Sequence, residues 1–556
     1  MAESLSASVA HVYRSMKSSP RRTAVALLIV VLLIALTVLS IQFIMSQNSS
    51  LALVNLLGLM LIPVLLIGAA LWLTVTWRRT QLDVARLHDE RAVVESYLNR
   101  LTDLLLTRGL RQATTDNNEA ARGARAHTLT VLRHLNGEGR GQVIRFLYES
   151  ALLNAGEPII DLQAAELGGM DSSGIPMPGI NLRNVDLHSA RLPDVIMPAS
   201  DLRESNLESA DLARADLSES YLRGAMLRKA VLTGANLRGA ILTKADLVEA
   251  NLRDADFSDA NLSGADLTGA DLTGANLQRA KLNGAILSGA TLDGANVSLA
   301  NMNKANLSGI NATAVNLSGA NLASAILVGA RLNGAQLGGA IISEADLTDA
   351  EMRDANLNLA NLRGATMNQA VLTGSSLTDA ILGRVTLSGA DLSGCDLSRA
   401  NLSIANLSRA ILNRAILEEA GLSGADLRAA QLRGANLRGA ILRGAILGDA
   451  DLSRADLTKA NLRWANLNNA NLTGADLTEV DLTDAEVTPQ TLAKARSVTK
   501  VDRPNTSHFT SAPDVIPPSQ SGPLPNPRAP KYKRPGTANI QEAAEPVAEN
   551  DPEAES

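Results

Sequence analysis

The sequence predicts a mainly β protein, one long solenoid set behind a pair of membrane-spanning helices. Three observations carry this. From Asn181 to Val487 a five-residue unit, Ala-Asn/Asp-Leu-x-x, repeats without a phase slip. Aromatic residues make up only 2% of the 556 residues, as expected of a core too thin for rings. Two N-terminal stretches, Thr23–Met45 and Leu51–Trp77, hold no charged residue at all.

Residues 1–22 form a short polar arm containing Arg14, Lys17, Arg21 and Arg22. The stretches 23–45 and 51–77 that follow are each long enough to cross a bilayer as a helix. No small-x-small cleavage site follows the first, so it reads as a retained span and not a cleaved signal. Positive residues flank the outer ends of this hairpin (23–77), Arg78 and Arg79 among them, and none lies in its loop. The positive-inside rule then places both termini in the cytoplasm, as for an integral membrane protein with two spans. Trp72 and Trp77 suit an interfacial position.

Residues 78–159 read as an α-helical linker and N-terminal cap. Val84, Leu87, Arg91, Val94, Leu98, Leu101 and Leu105 follow alternating steps of three and four. Two readings stand for this stripe: a homodimer seam through 84–105, or packing within one chain. Helices are expected over about 119–135 and about 142–153, with Gly137–Gly141 as their connection. Their use is to cover the first coil of the solenoid, whose open edge would otherwise pair with other chains.

The repeat region spans 160–487, degraded at first and regular from Asn181. Its unit centres fall at 182 and every fifth residue to 487, giving 62 units, of which 53 have Leu at the centre. Two residues earlier, 50 of 62 positions are Ala; just before the centre, 36 of 62 are Asn or Asp. A period of five fits neither a strand nor a helix as a continuous element. It fits a short extended piece plus a corner, with Leu and Ala pointing inward. Gly two residues after the centre, as at Gly224 and Gly264, suits a corner that needs positive φ.

With motifs such as ANLSGADLTGADLTGANL (260–277), the sequence resembles the pentapeptide repeat family. The resemblance implies a right-handed quadrilateral β-helix with one unit per side and four per coil. Sixty-two units would make about 15 coils, on the order of 75 Å at a parallel-strand spacing of ~4.8 Å. Leu262, Leu267, Leu272, Leu277 and Leu317 would then belong to the inner ladder. Stacked Asn residues 20 apart, such as Asn296 and Asn316, would form amide ladders.

At the far end Thr488 and Pro489 read as N-cap and first residue of a capping helix over 488–500. Residues 501–556 hold eleven prolines and few apolar residues, the composition of a disordered tail. Pro517-Pro518 and Pro523-Leu-Pro525 are candidate ligands for a proline-reading domain, against the plainer reading of a solvated linker.

No catalytic, cofactor or metal motif emerges. The six His residues have no ligand spacing, and no nucleophile elbow, phosphate loop or H-E-x-x-H occurs. Cys395 replaces an inward Ala and reads as a small apolar filler. Two outer features stand out. Arg428, Arg433, Arg438 and Arg443 take the same place in four consecutive units, with Arg454, Lys459 and Arg463 nearby. Earlier coils carry Glu204, Glu208, Glu219, Glu249, Asp254 and Asp259. Net charge is +5 over 1–159 and −11 over 160–487. That acidity and the scarcity of stacking aromatics argue against nucleic-acid binding.

The expected function is a non-enzymatic, membrane-anchored scaffold that presents the rod to protein partners in the cytoplasm. The alternative, drawn from the resemblance, is a DNA-mimicking binder of DNA gyrase or another topoisomerase. Expected partners are a lipid bilayer and an unidentified protein, with no cofactor.

Overall fold

The computed structural model describes residues 68, 72, 75–77, 90–106, 110, 119–154 and 156–498. The expected span 23–45, nearly all of 51–77, and the Pro-rich tail lie outside the described residues. Among those described, no helix is long and apolar enough to cross a membrane.

From Glu166 onward the chain forms parallel bridges between residues 20 apart, Glu166 to Asp186 and on to Asn466 with Glu486. Twenty residues are four units, so each coil has four sides. The accounting of one unit explains the repeat. Asn261 N–H donates to the Ala240 carbonyl of the coil before (2.9 Å), and Leu262 N–H to Lys281 of the coil after (2.7 Å). Gly264 N–H donates to Asn283 (3.0 Å), and Ala265 N–H closes the corner on Leu262 (3.0 Å). The fifth donor, Ser263 N–H, is taken by the Asn261 side chain (Oδ1, 3.1 Å). All five amides are satisfied, and a short polar acceptor before the centre completes the set. This is the physical reason for Asn and Asp at that position.

The corner bonds residue i to i+3 and holds φ near +60° at its third residue, as in a type II turn. Every fifth residue from 184 to 484 holds that positive φ, but only 23 of these 61 are Gly. Asn184, Trp464 and the β-branched Ile404 (φ 61°) occupy others. Closure on four hydrogen-bonded sides imposes the turn whatever residue stands there.

Inside, Leu262, Leu267, Leu272 and Leu277 are fully buried and Leu317 nearly so, with the Ala ladder between them. Departures compensate by volume. Where the centre shrinks to Ala312, the flanking Ala positions become Ile310 and Val315, all buried. Such exchange keeps a thin core filled. The degraded units keep the geometry: Gly169, Gly174 and Gly179 form corners, and Met177 is buried in the ladder.

The N-terminal end is closed by helices. We label the helix over 90–106 α1, Glu119–His134 α2 and Gly137–Glu149 α3. Val94, Tyr97 and Leu101 of α1 are buried in one cluster with Leu132 of α2 and Ile144 and Leu147 of α3. Tyr97 Oη and Thr128 Oγ1 lie 2.7 Å apart. Of the heptad stripe, Val94 and Leu101 are buried within the chain, Leu98 and Leu105 are half-buried and Arg91 is exposed; Val84 and Leu87 lie outside the described residues. Gly137–Gly141 is no connection but the first turn of α3, capped by Asn136, whose side chain accepts from Gly139 N–H. Glycine is required there because a Cβ on Gly137 or Gly141 would collide with the backbone of Gly169 or Asp171. Asp171 N–H donates to the Gly137 carbonyl (3.0 Å), so α3 rests directly on the first coil.

At the other end Thr488 caps a helix, α4, that spans only Pro489–Leu492. It is much shorter than the expected 488–500. The chain instead turns back, and Ser497 bridges Asp476 while Arg496 N–H donates to Ala475 (2.8 Å). The last coil's open backbone edge is satisfied by one more rung, which a longer helix could not supply.

Candidate interaction surface

Each unit points three side chains outward, the residue before the centre and the two after it. The 20-residue bridges sort these into four sides. Side 1 carries the units centred on Leu182 and each twentieth residue to Leu482; sides 2, 3 and 4 start from Leu187, Leu192 and Met197.

Arg428, Arg433, Arg438 and Arg443 fall on sides 2, 3, 4 and 1 of one coil, and all four are exposed. They circle the rod and do not converge. Arg428 pairs with Asp426 (2.6 Å), whose carboxyl that guanidinium holds below its usual range. The Arg433 backbone N–H donates to Asn413 Oδ1 (3.0 Å) and that of Arg438 to Asn436 Oδ1 (3.1 Å). The Arg443 guanidinium lies 4.1 Å over the Trp464 ring, and Arg463 lies 5.1 Å from the same ring. Arg454 is exposed on side 3. Lys459 on side 4 reaches Glu479 at 3.9 Å, and Arg463 on side 1 reaches Asp481 at 4.0 Å.

Sequence reasoning did not single out Trp464. It sits on a corner, 45% exposed, between two arginines 20 residues apart, and donates Nε1–H to Asp484 (3.1 Å). The 20-residue spacing was the signal that brings Arg443 and Arg463 together. The acidic residues likewise spread over all four sides. Glu249 is paired with Lys229 (3.6 Å), and Asp259 with Arg279 (2.7 Å). Opposite charges 20 apart at the corners recur in Arg214–Asp194 and Arg399–Asp379 (2.7 and 2.8 Å). Hydrogen bonds from these arginines depress the carboxyls of Asp194, Asp259 and Asp379.

The amide ladder is continuous: Asn316 Nδ2 donates to Asn296 and Asn296 Nδ2 to Asn276, each at 3.2 Å. Below them Asn276 donates to Asp256 (2.9 Å). Cys395 is buried, its Sγ against the Leu372 carbonyl (2.8 Å), and burial pushes its thiol up to about 12. His188 Nδ1 lies 3.0 Å from Asp186. No group of His, Cys, Asp and Glu among the described residues is arranged to hold a metal.

Bridged four-sided coils with outward polar rows define a pentapeptide solenoid. The family model "Pentapeptide repeats" matches residues 180–418 and 420–484. This chain belongs to the pentapeptide repeat family. Solved structures similar to it include HetL of the cyanobacterium Nostoc sp. PCC 7120, a protein involved in heterocyst differentiation regulation. It is 26% identical over 60% of this chain and 98% of its own, with a TM-score of 0.13. A second Nostoc pentapeptide repeat protein is 42% identical over 18% of this chain and 82% of its own, TM-score 0.17. Trypsin-treated QnrB1, a plasmid-mediated fluoroquinolone resistance protein, is 22% identical over 32% of this chain and 86% of its own, TM-score 0.24. No curated protein matches the sequence.

Proposed function

We propose that this protein is a non-enzymatic scaffold, tethered to a membrane by its two N-terminal apolar stretches. It holds a rigid four-sided rod against protein partners in the cytoplasm. The observation that carries the scaffold reading is the outer surface itself. Rows of short polar and charged side chains run along flat sides, with an arginine ring at one level. Flat, periodic surfaces of this kind suit contacts with other macromolecules, which are read by charge and shape complementarity. The collar arginines offer bidentate contacts to carboxylates.

The tether rests on the charge-free stretches 23–45 and 51–77 and their Arg/Lys flanks. Carbonate extraction of native membranes tests it: full-length protein should stay in the pellet, and release into the supernatant would sink the anchor. Proximity labelling from a C-terminal tag tests the scaffold, comparing wild type with a variant in which the four collar arginines are Gln. Neighbours lost from the variant support the collar as the contact; identical neighbour sets count against it. The DNA-mimic alternative has less behind it, since the Asp residues that do precede centres, such as Asp266, Asp271, Asp391 and Asp456, are committed to a backbone N–H. A topoisomerase subunit as the dominant labelled neighbour would overturn this ordering.

A further inference from the structure

The four sides of the rod differ in charge, which the net charge conceals. Over 181–487, side 1 carries ten Lys/Arg and five Asp/Glu, whereas the other three sides together carry 17 and 30. Between Tyr221 and Trp464 the asymmetry is sharper. Side 1 there holds Arg223, Lys244, Lys281, Lys304, Arg363, Arg384, Arg443 and Arg463 against one acid, Glu344. Twelve coil steps at ~4.8 Å make this strip roughly 58 Å long.

Two further features set side 1 apart. On the other sides most cations pair with a carboxylate, as Arg214, Arg228, Arg253, Arg279 and Arg399 do. On side 1, Arg223, Lys244, Lys281, Lys304, Arg363 and Arg384 are exposed and make no ion pair with a described residue. Six exposed large apolar residues also lie on side 1, Tyr221, Ile341, Ile381, Ile404, Ile441 and Trp464 at 43% to 61%, against four on side 2 (Met226, Ile286, Ile326, Ile446), four on side 4 (Ile196, Leu299, Leu359, Ile416) and none on side 3. In the last five coils of the strip, Gly383, Gly421, Gly424 and Gly444 keep the ground between them low.

We propose that side 1 is a membrane-docking face, on which the rod lies lengthwise against anionic phospholipid headgroups. Unpaired Lys/Arg meet phosphate and carboxylate groups, and the interspersed Ile, Tyr and Trp side chains enter the interfacial layer. Apolar residues interleaved with cations favour a bilayer over nucleic acid, whose phosphate backbone rewards the cations but gives exposed isoleucines nothing to enter. Docking leaves the more acidic sides 2, 3 and 4 toward the cytosol. The face is independent of the N-terminal tether, so either reading can fail alone.

The test uses the full chain reconstituted in phosphatidylcholine vesicles with or without phosphatidylserine. Cys395 is buried, so one introduced cysteine takes the label: Ile404→Cys on side 1, or Leu359→Cys, 66% exposed on side 4. With a fluorophore attached, lipid-borne quenchers should dim position 404 several-fold more than position 359. That difference should require phosphatidylserine and disappear at high salt. Arg363, Arg384, Arg443 and Arg463 changed together to Gln should weaken docking roughly a hundredfold or more, at about fivefold per basic residue near an anionic surface. Far-UV circular dichroism confirms that this variant keeps its fold. Equal quenching at 404 and 359, or quenching indifferent to phosphatidylserine, overturns the proposal. So does a quadruple variant that docks normally but loses retention on immobilised nucleic acid. Carbonate release of the chain from native membranes would remove the tether and leave this result standing.

Discussion

The inner ladders and the outer corners of the solenoid obey different rules. Inside, 53 of 62 centres are Leu, and the one Ala among them, Ala312, is offset by larger neighbours. At the corners, 38 of 61 residues are not Gly although all adopt positive φ. Volume in a narrow close-packed core has no slack, whereas backbone strain at a corner is of order 1–2 kcal/mol and is absorbed by the coil's hydrogen bonds. The inside thus restricts residue identity, and the corner restricts only conformation.

The largest expected effect comes from violating the interior. Leu317→Ala should destabilise the rod by roughly 2–5 kcal/mol in chemical denaturation, since partial collapse cannot refill the ladder. The neighbouring outward change Ser318→Ala should stay within about 0.5 kcal/mol. Similar losses at the two positions would erase the comparison. Next in size is the amide ladder. Asn296→Ala removes the acceptor for Ser298 N–H and Oγ–H and two ladder bonds, so a loss of about 1–3 kcal/mol is expected. A neutral result would mean water replaces that side chain without penalty.

The corner rule is sharpened by a change that should stabilise. Ile404 is a β-branched residue at φ 61° and 61% exposed, so Ile404→Gly should gain about 0.5–1 kcal/mol despite the entropy of glycine. A lower melting temperature would show that Ile404 is held by contacts and not merely tolerated. Smaller still is the collar. Arg428, Arg433, Arg438 and Arg443 to Gln should shift stability by no more than about 1 kcal/mol, because exposed charges contribute little. Early melting of that variant would make the ring structural.

The corner ion pairs set the acid side of the stability profile. The Asp194, Asp259 and Asp379 carboxyls are held below their ordinary range by Arg214, Arg279 and Arg399. Their contribution is therefore present above the ordinary carboxylate pKa of about 4 and is lost as pH falls through their lower folded values. A melting temperature flat from pH 7 to about pH 5 and falling below about pH 4 is expected, and less steeply in Asp259→Asn.

Much of this molecule was legible in the order of its residues. The unbroken phase from Asn181 to Val487 determined the solenoid, its four-unit coil through the family resemblance, and which residues point inward. Thr488 and Pro489 announced a terminal helix. These are local or strictly periodic signals, and each unit repeats the same test. Only the tertiary structure decided what depends on stacking. Gly137 and Gly141 begin a helix because α3 must approach the backbone of Gly169 and Asp171. Residues 493–498 lay down a last rung because the final coil has an open edge. Asn and Asp precede most centres because one amide per unit would otherwise lack an acceptor. The charges divide into one basic and three more acidic sides because residues 20 apart meet. That division is invisible in a net charge, which sums along the chain what the coil separates in space.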